Sequence, residues 1–185
     1  MKSADDTRRA AFEALYDAHA SDVLSYALRR VDEPADAADV VADTFLTAWR
    51  RLDDIPPGER SRLWLYGVAR NVLSNQRRGM RRRDRLGGRL REQLALAAAS
   101  VPPPGGGPAT VRAAMARLGR ADREIIALTA WEGLDVAEAA RVLGLRPTTA
   151  RTRLHRARTR LRAHLIEAGA LDGPRLATPV AEEAS

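Results

Sequence analysis

The stretch WLYGVARNVLSNQRRGMRRR, from Trp64 to Arg83, sets two aromatic rings at the head of a helical pattern and a run of arginines at its tail. Rings beside guanidinium groups suit single-stranded nucleic acid, where bases stack on the rings and the phosphate backbone meets the cations, at about 1 to 3 kcal/mol per stacked base. Arg62, Tyr66 and Arg70 recur at four-residue steps and so share a helical face, expected with Arg77 to be exposed. Trp64 reads equally as a base platform or as a core residue, and Asn71 and Asn75 offer amide edges to an extruded base.

A second constellation lies in TTARTRLHRARTRLRAHL, where Arg151, Arg153, Arg156, Arg158, Arg160 and Arg162 surround most of a helix and Thr148 and Thr149 add hydroxyls at its first turn. A helix of this kind fits the DNA major groove, about 12 Å wide, with N-terminal residues at base edges and later arginines at phosphates. The preceding DVAEAARVLG has capping-box spacing between Asp135 and Glu138, and Gly144 is placed to end that helix in a left-handed cap. With the short link Leu145 to Pro147, this is the spacing of a helix-turn-helix.

Charge is segregated to match. From Asp32 to Glu59 eight acids face two arginines, a balance of −6; from Arg60 to Arg91 eleven arginines face one acid, a balance of +10. Seven arginines and no acid follow from Arg146 to Arg162, within a chain of net charge +7. A polyanion is the expected partner of the basic surfaces. Asp36, Asp39 and Asp43 occupy one side of a helix that carries Val41, Phe45, Ala48, Trp49 and Leu52 on another, which reads as a solvated face or as a docking face for a basic protein.

Catalysis finds no foothold in the pattern. His19, His155 and His164 are isolated, no GxSxG occurs, and Lys2 is the only lysine, so no GxxxxGK phosphate loop exists. His19 falls on an apolar stripe and is expected to be a hydrogen-bonded core residue. No metal site, cofactor or small-molecule substrate is expected, and the chain is not expected to be an enzyme. The absence of cysteine fits a reducing compartment, and neither a signal peptide nor an 18-residue apolar run is visible, so a cytoplasmic protein without membrane insertion is expected.

The elements that position these residues are helical. Phe12, Leu15, Tyr16, His19, Val23, Ala27 and Val31 form an apolar stripe, and Pro34 suits the first turn of the next helix, which stops at DDIPPGER. A third helix is predicted from about Ser61 to Arg83, with Leu65, Val68, Ala69 and Val72 facing the core. PPPGGG, inside 87–108, reads as a flexible interdomain linker. In the second half, Val111, Met115 and Leu118 start one helix, Ile125, Leu128 and Thr129 line another, and Ala150, Leu154, Ala157, Leu161 and Leu165 point inward from the arginine helix. The expected architecture is all-α: one domain over 8–86, the linker 87–108, a second domain over 109–167, and a tail 168–185 without regular structure.

LYDAHASDVLSYALRRV, DAADVVADTFLTAWRRL, WLYGVARNVLSNQRRGMRRR and REIIALTAWEGLDVAEAARVLGLRPTTARTRLHRARTRLRAHL occur in the order and spacing of the small two-domain sigma factors of bacterial RNA polymerase, and the chain resembles their extracytoplasmic-function (ECF) group over roughly residues 8 to 166. The resemblance implies a promoter-melting module, region 2, in which Asp39, Val40, Asp43, Phe45, Leu46 and Trp49 dock the coiled coil of the largest polymerase subunit. It implies that the loop Asp53 to Arg62, with Trp64, Tyr66, Arg70, Asn71, Asn75 and Arg77, takes the non-template strand of the −10 element. Region 4 would read the −35 element through Thr148 to Arg162, with Thr148, Thr149, Arg151, Arg153, Arg156 and Arg158 as the contacts, and Pro102 to Pro108 would thread near the RNA exit path. An anti-sigma factor is an implied further partner. The chain departs from the group at Arg146-Pro147-Thr148-Thr149-Ala150, where relatives carry Gly-Thr-Val after a small and a polar residue, and at Ala42, where relatives often place Gln. Two other readings compete: an operator-binding helix-turn-helix repressor or activator acting as a dimer, and an interaction protein that binds polymerase or RNA without selecting promoters.

Overall fold

The computed structural model describes residues 2–31, 33–97 and 108–171, with side chains described for 5–31, 33–78 and 109–171. Among them are seven α-helices and no strand: α1 (Lys2–Leu28), α2 (Pro34–Arg50), α3 (Arg60–Ala97), α4 (Pro108–Arg117), α5 (Arg120–Ala130), α6 (Val136–Leu143) and α7 (Pro147–Glu167), with a 3-10 turn at Leu52–Asp54.

Helices α1 to α3 pack around Val23, Tyr26 and Ala27, Val40 and Phe45, and Leu65 and Ala69, all buried. Beside this core Phe12, Tyr16, Phe45 and Trp49 form an edge-to-face cluster; Phe12 lies 5.2 Å from Trp49 and Tyr16 lies 4.7 Å from Phe45, centroid to centroid. Tyr16, on the predicted apolar stripe, is 43% exposed. Thr44 is fully buried and satisfies its hydroxyl by donating to the Val40 carbonyl at 2.6 Å. Pro34 opens α2 as expected, and Asp36 and Arg50 complement its dipole at opposite ends. The chain turns into α3 at Gly58, whose φ of +66° suits glycine, and Ser61 closes the turn by donating its hydroxyl to the Gly58 carbonyl at 2.7 Å.

Helices α4 to α7 enclose Met115 and Leu118, Ile125 and Leu128, Ala139 and Val142, and Ala150, Leu154 and Ala157. The Asp135–Glu138 capping box is present in both directions, at 2.8 and 2.9 Å, and Gly144 adopts φ +65°, ψ +36°. Arg123 holds the end of α4, donating to the carbonyls of Met115, Ala116 and Leu118. Because the box fixes the entry to the turn helix, Asp135→Ala is expected to cost about 1 kcal/mol, seen as a drop of a few degrees in the thermal midpoint without loss of helix content at low temperature.

The structure departs from the sequence reading in two places. Helix α1 begins at Lys2, ahead of the Phe12 stripe. Helix α3 continues past Arg83 to Ala97, so 87–97 of the expected linker is helical; the Arg, Leu, Glu, Gln and Ala residues there are good helix formers that offset about 1 kcal/mol per glycine at Gly87 and Gly88. Residues 98–107 of the linker and 172–185 of the tail lie outside the described residues. The two halves are also in contact. Helix α3 packs on α6, and the buried apolar residues of both halves form one continuous cluster.

Candidate nucleic-acid interface

Helix α7 is built to present its cations. Pro147 occupies its first turn, and Ala150, Leu154 and Ala157, at steps of four and three, are buried against the other helices of the second half. That anchoring leaves Thr148, Thr149, Arg151, Arg156 and Arg158 exposed and Arg153 half-buried. None of these four arginines makes an ion pair among the described residues, whereas Arg160 pairs with Asp122 at 2.5 Å. A cleft of about 550 Å³ runs between the start of α5 and the first turns of α7, lined by Asp122, Thr148, Thr149, Thr152, Arg153 and Arg156. Donor-rich and open, it sits where base edges and phosphates would meet the N-terminal turns of a recognition helix. His155 is exposed, and His164 lies 3.8 Å from Glu167, which Arg117 holds at 2.7 Å. The Arg117 hydrogen bond pulls the Glu167 pKa below its usual range.

On α3 the expected single face is divided. Asn71 and Asn75 are exposed, and Asn75 accepts from Arg78. Arg62 and Arg70 are half-buried, and Arg77 donates to the Arg30 carbonyl. Tyr66 is not exposed: it is buried, with its ring stacked on Tyr26 at 5.0 Å. Trp64 is intermediate, packed against the core with Arg51 lying 5.8 Å over its ring. His19 is hydrogen-bonded to the Ser61 hydroxyl at 2.9 Å, while its Nδ1 has no partner.

On α2 the docking set also divides. Val40 and Phe45 are core residues, since the period that buries Ala37, Thr44 and Ala48 carries them inward too. Asp39, Asp43 and Leu46 remain exposed at steps of four and three, a single stripe of two carboxylates and an apolar side chain. Trp49 is half-buried between Phe12 and the Arg8 guanidinium, which lies 5.3 Å over its ring. No cluster of metal-ligating side chains occurs among the described residues.

The sequence reading missed a polar group between the two halves. Arg30 donates to both carboxylate oxygens of Glu124 at 3.1 and 3.2 Å and to Glu132 at 2.8 Å. Tyr26 donates to Glu124 at 2.8 Å, Arg29 also pairs with Glu132, and the Arg30 guanidinium lies 3.5 Å over the Tyr26 ring. The Glu132 side chain is 1% exposed and that of Arg30 6%. Burial, reinforced by the Glu124 carboxylate, pushes the Tyr26 phenol well above its ordinary pKa despite the opposing Arg30. Partners about a hundred residues apart leave no local signal; the one clue was a pair of arginines at the end of an apolar stripe.

Comparison with known proteins places this geometry. The family model for sigma-70 region 2 matches residues 15–83, and that for sigma-70 region 4 matches residues 109–161. The ECF RNA polymerase sigma factor SigL of Mycobacterium tuberculosis is 36% identical over 170 residues, covering 86% of this chain and 92% of SigL. The solved structure of CnrH in complex with the cytosolic domain of CnrY is similar with a TM-score of 0.61 at 33% identity, covering 86% of this chain and 90% of CnrH. That of the sigma factor RpoE in complex with the anti-sigma factor NepR from Bartonella quintana gives 0.56 at 25% identity, covering 90% and 98%. With both conserved regions in order, and the helix-turn-helix and its cationic helix in place, the chain belongs to the ECF group of sigma-70 factors, alternative sigma factors that direct transcription initiation.

Proposed function

We propose that the stripe Asp39, Asp43 and Leu46 docks core RNA polymerase, that α7 reads the −35 duplex through Thr148, Thr149, Arg151, Arg153, Arg156 and Arg158, and that the start of α3, with Arg62, Trp64, Tyr66, Arg70, Asn71, Asn75 and Arg77, holds the melted −10 strand. The observation that carries the reading is α7: a helix-turn-helix whose second helix is anchored by Ala150, Leu154 and Ala157 and exposes Arg151, Arg156 and Arg158, which make no ion pair among the described residues. Two modules that bind DNA weakly gain affinity once the polymerase fixes their separation, because the second contact becomes intramolecular. Extruded −10 bases held on α3 offset a few kcal/mol of lost stacking and pairing per base.

In this reading the chain catalyses nothing itself and works in the cytoplasm, where polymerase and DNA are; no described helix is long and apolar enough to cross a membrane. The solved relatives are complexes with CnrY and with the anti-sigma factor NepR. A protein of that kind is proposed as a further partner.

Run-off transcription with purified core enzyme and a genomic promoter library tests the assignment. Arg153→Ala with Arg156→Ala is expected to keep core binding but to lower initiation at −35-dependent promoters roughly 10- to 100-fold, and to flatten the salt dependence of promoter binding. Undiminished initiation would remove α7 from the reading. Strong operator binding by the chain without polymerase would favour a repressor or activator instead.

A further inference from the structure

At the C-terminal end of α1, Arg29, Arg30 and the Tyr26 hydroxyl converge on one place, and two carboxylates from the other half of the chain, Glu124 of α5 and Glu132 of the turn after it, fill it. The arrangement is that of bound anions: the Nε–H of Arg30 is shared between the two oxygens of Glu124, Nη1 of Arg30 and Nη2 of Arg29 each meet one oxygen of Glu132, and the Tyr26 phenol donates to Glu124. Yet the seat is not saturated, since Nη2 of Arg30 is buried without a hydrogen-bond partner. The seat also adjoins the proposed −10 surface. The Tyr26 ring carries the stacked Tyr66, and the carbonyl of Arg30 accepts from Arg77.

A cationic seat next to a stacking ring, filled by acids of the module that lies over it, is complementary to a phosphodiester flanked by an unstacked base. We propose that Tyr26, Arg29 and Arg30 form a binding site for a backbone phosphate of single-stranded promoter DNA, and that Glu124 and Glu132 occupy it when the two halves are closed. The carboxylates then compete directly with DNA: closure fills the seat, and opening frees it. This rests on the −10 role proposed for α3, and it adds a phosphate contact from α1 and an internal competitor from α5 and its turn.

The full-length chain permits a direct test, because it contains no cysteine and accepts a label pair at the exposed positions Asp17→Cys on α1 and Ala163→Cys on α7. Two readouts are taken without polymerase: energy transfer between the labels, and binding of a fluorescein-labelled single-stranded oligodeoxynucleotide. Glu124→Gln with Glu132→Gln is expected to lower the energy transfer and to tighten oligonucleotide binding about tenfold at low salt. Glu124→Gln alone, a milder change at a partly exposed side chain, should move both readouts the same way. Adding Arg30→Gln to the double variant should return the affinity to the wild-type level while the labels stay apart. Unchanged energy transfer in both glutamate variants, with helix content retained, overturns the closure. Separation of the labels without tighter binding, or a gain that survives Arg30→Gln, overturns the phosphate site. If the wild-type chain fails to support initiation with core enzyme, the −10 reading falls, and the label measurement still reports the closure by itself.

Discussion

Tyr66→Ala is expected to lower the stability of the free protein by about 3 to 5 kcal/mol, while Tyr66→Phe stays within about 1 kcal/mol of wild type. The ring is 2% exposed and stacks on Tyr26 of α1, so truncation leaves a cavity in the core. For a chain of this length the loss corresponds to a fall of roughly 10 °C in the thermal midpoint, measurable by circular dichroism. The hydroxyl adds a pH signature. Burial, then the carboxylates of Asp22 and Glu132, push the Tyr66 pKa up to about 12. An unfolded tyrosine titrates near 10, so the unfolded state loses its proton first. The contribution is therefore complete below about pH 10 and is lost as pH rises through about 12. Urea titrations across that range should show a shallower decline in Tyr66→Phe than in wild type; part of the decline remains, because Tyr26 is shifted in the same direction. Equal thermal midpoints for Tyr66→Ala and wild type would mean that the ring is not packed in the core in solution. Impaired promoter opening by Tyr66→Phe, which keeps the packing, would separate a role in DNA binding from one in stability.

Asp43→Arg combined with Leu46→Arg is expected to weaken association with core polymerase by about 100-fold or more and to abolish run-off transcription at matched concentrations. Both side chains are exposed, and neither takes part in a side-chain hydrogen bond or ion pair among the described residues, so the thermal midpoint should barely move. Charge reversal replaces attraction by repulsion at a basic partner surface, and the second arginine removes the apolar contact beside it. Val40→Ala and Phe45→Ala provide the contrast. These residues lie in the core, so truncating them should lower stability, by about 3 to 5 kcal/mol for Phe45, with reduced polymerase binding following only from the loss of folded protein. Wild-type affinity in the double arginine variant would exclude this stripe as the docking surface.

The helix-turn-helix was legible because each of its determinants is local. Asp135 and Glu138 are three residues apart, Gly144 lacks the Cβ that would strain a left-handed cap, and the inward residues of α7 repeat with the helical period. Helix α3 was harder to read. Its period correctly put Leu65 and Ala69 in the core, but the assumption of one packed face left Tyr66 in solvent. A helix covered by α1 and α2 on one side and α6 on another buries a wider arc than its own period suggests, and only the tertiary arrangement supplies the second neighbour. The same holds on α2, where Val40 and Phe45 belong to the set buried beneath the acidic stripe. The run from Gly87 to Ala97 was assigned to the linker because the apolar pattern fades there ahead of the PPPGGG tract, yet it is helical, its helix formers offsetting the cost of Gly87 and Gly88.

By itself, then, the sequence determined the helical class, the turn geometry of the second half, the location of the cations and the family, because caps, periodicity and charge act over a few residues. Tertiary structure decided which of those side chains remain available. Arg29 and Arg30 meet Glu124 and Glu132 only after nearly a hundred residues of intervening chain have folded back. No local rule pairs such residues, since an ion pair of this kind exists only where two finished surfaces exclude water between them.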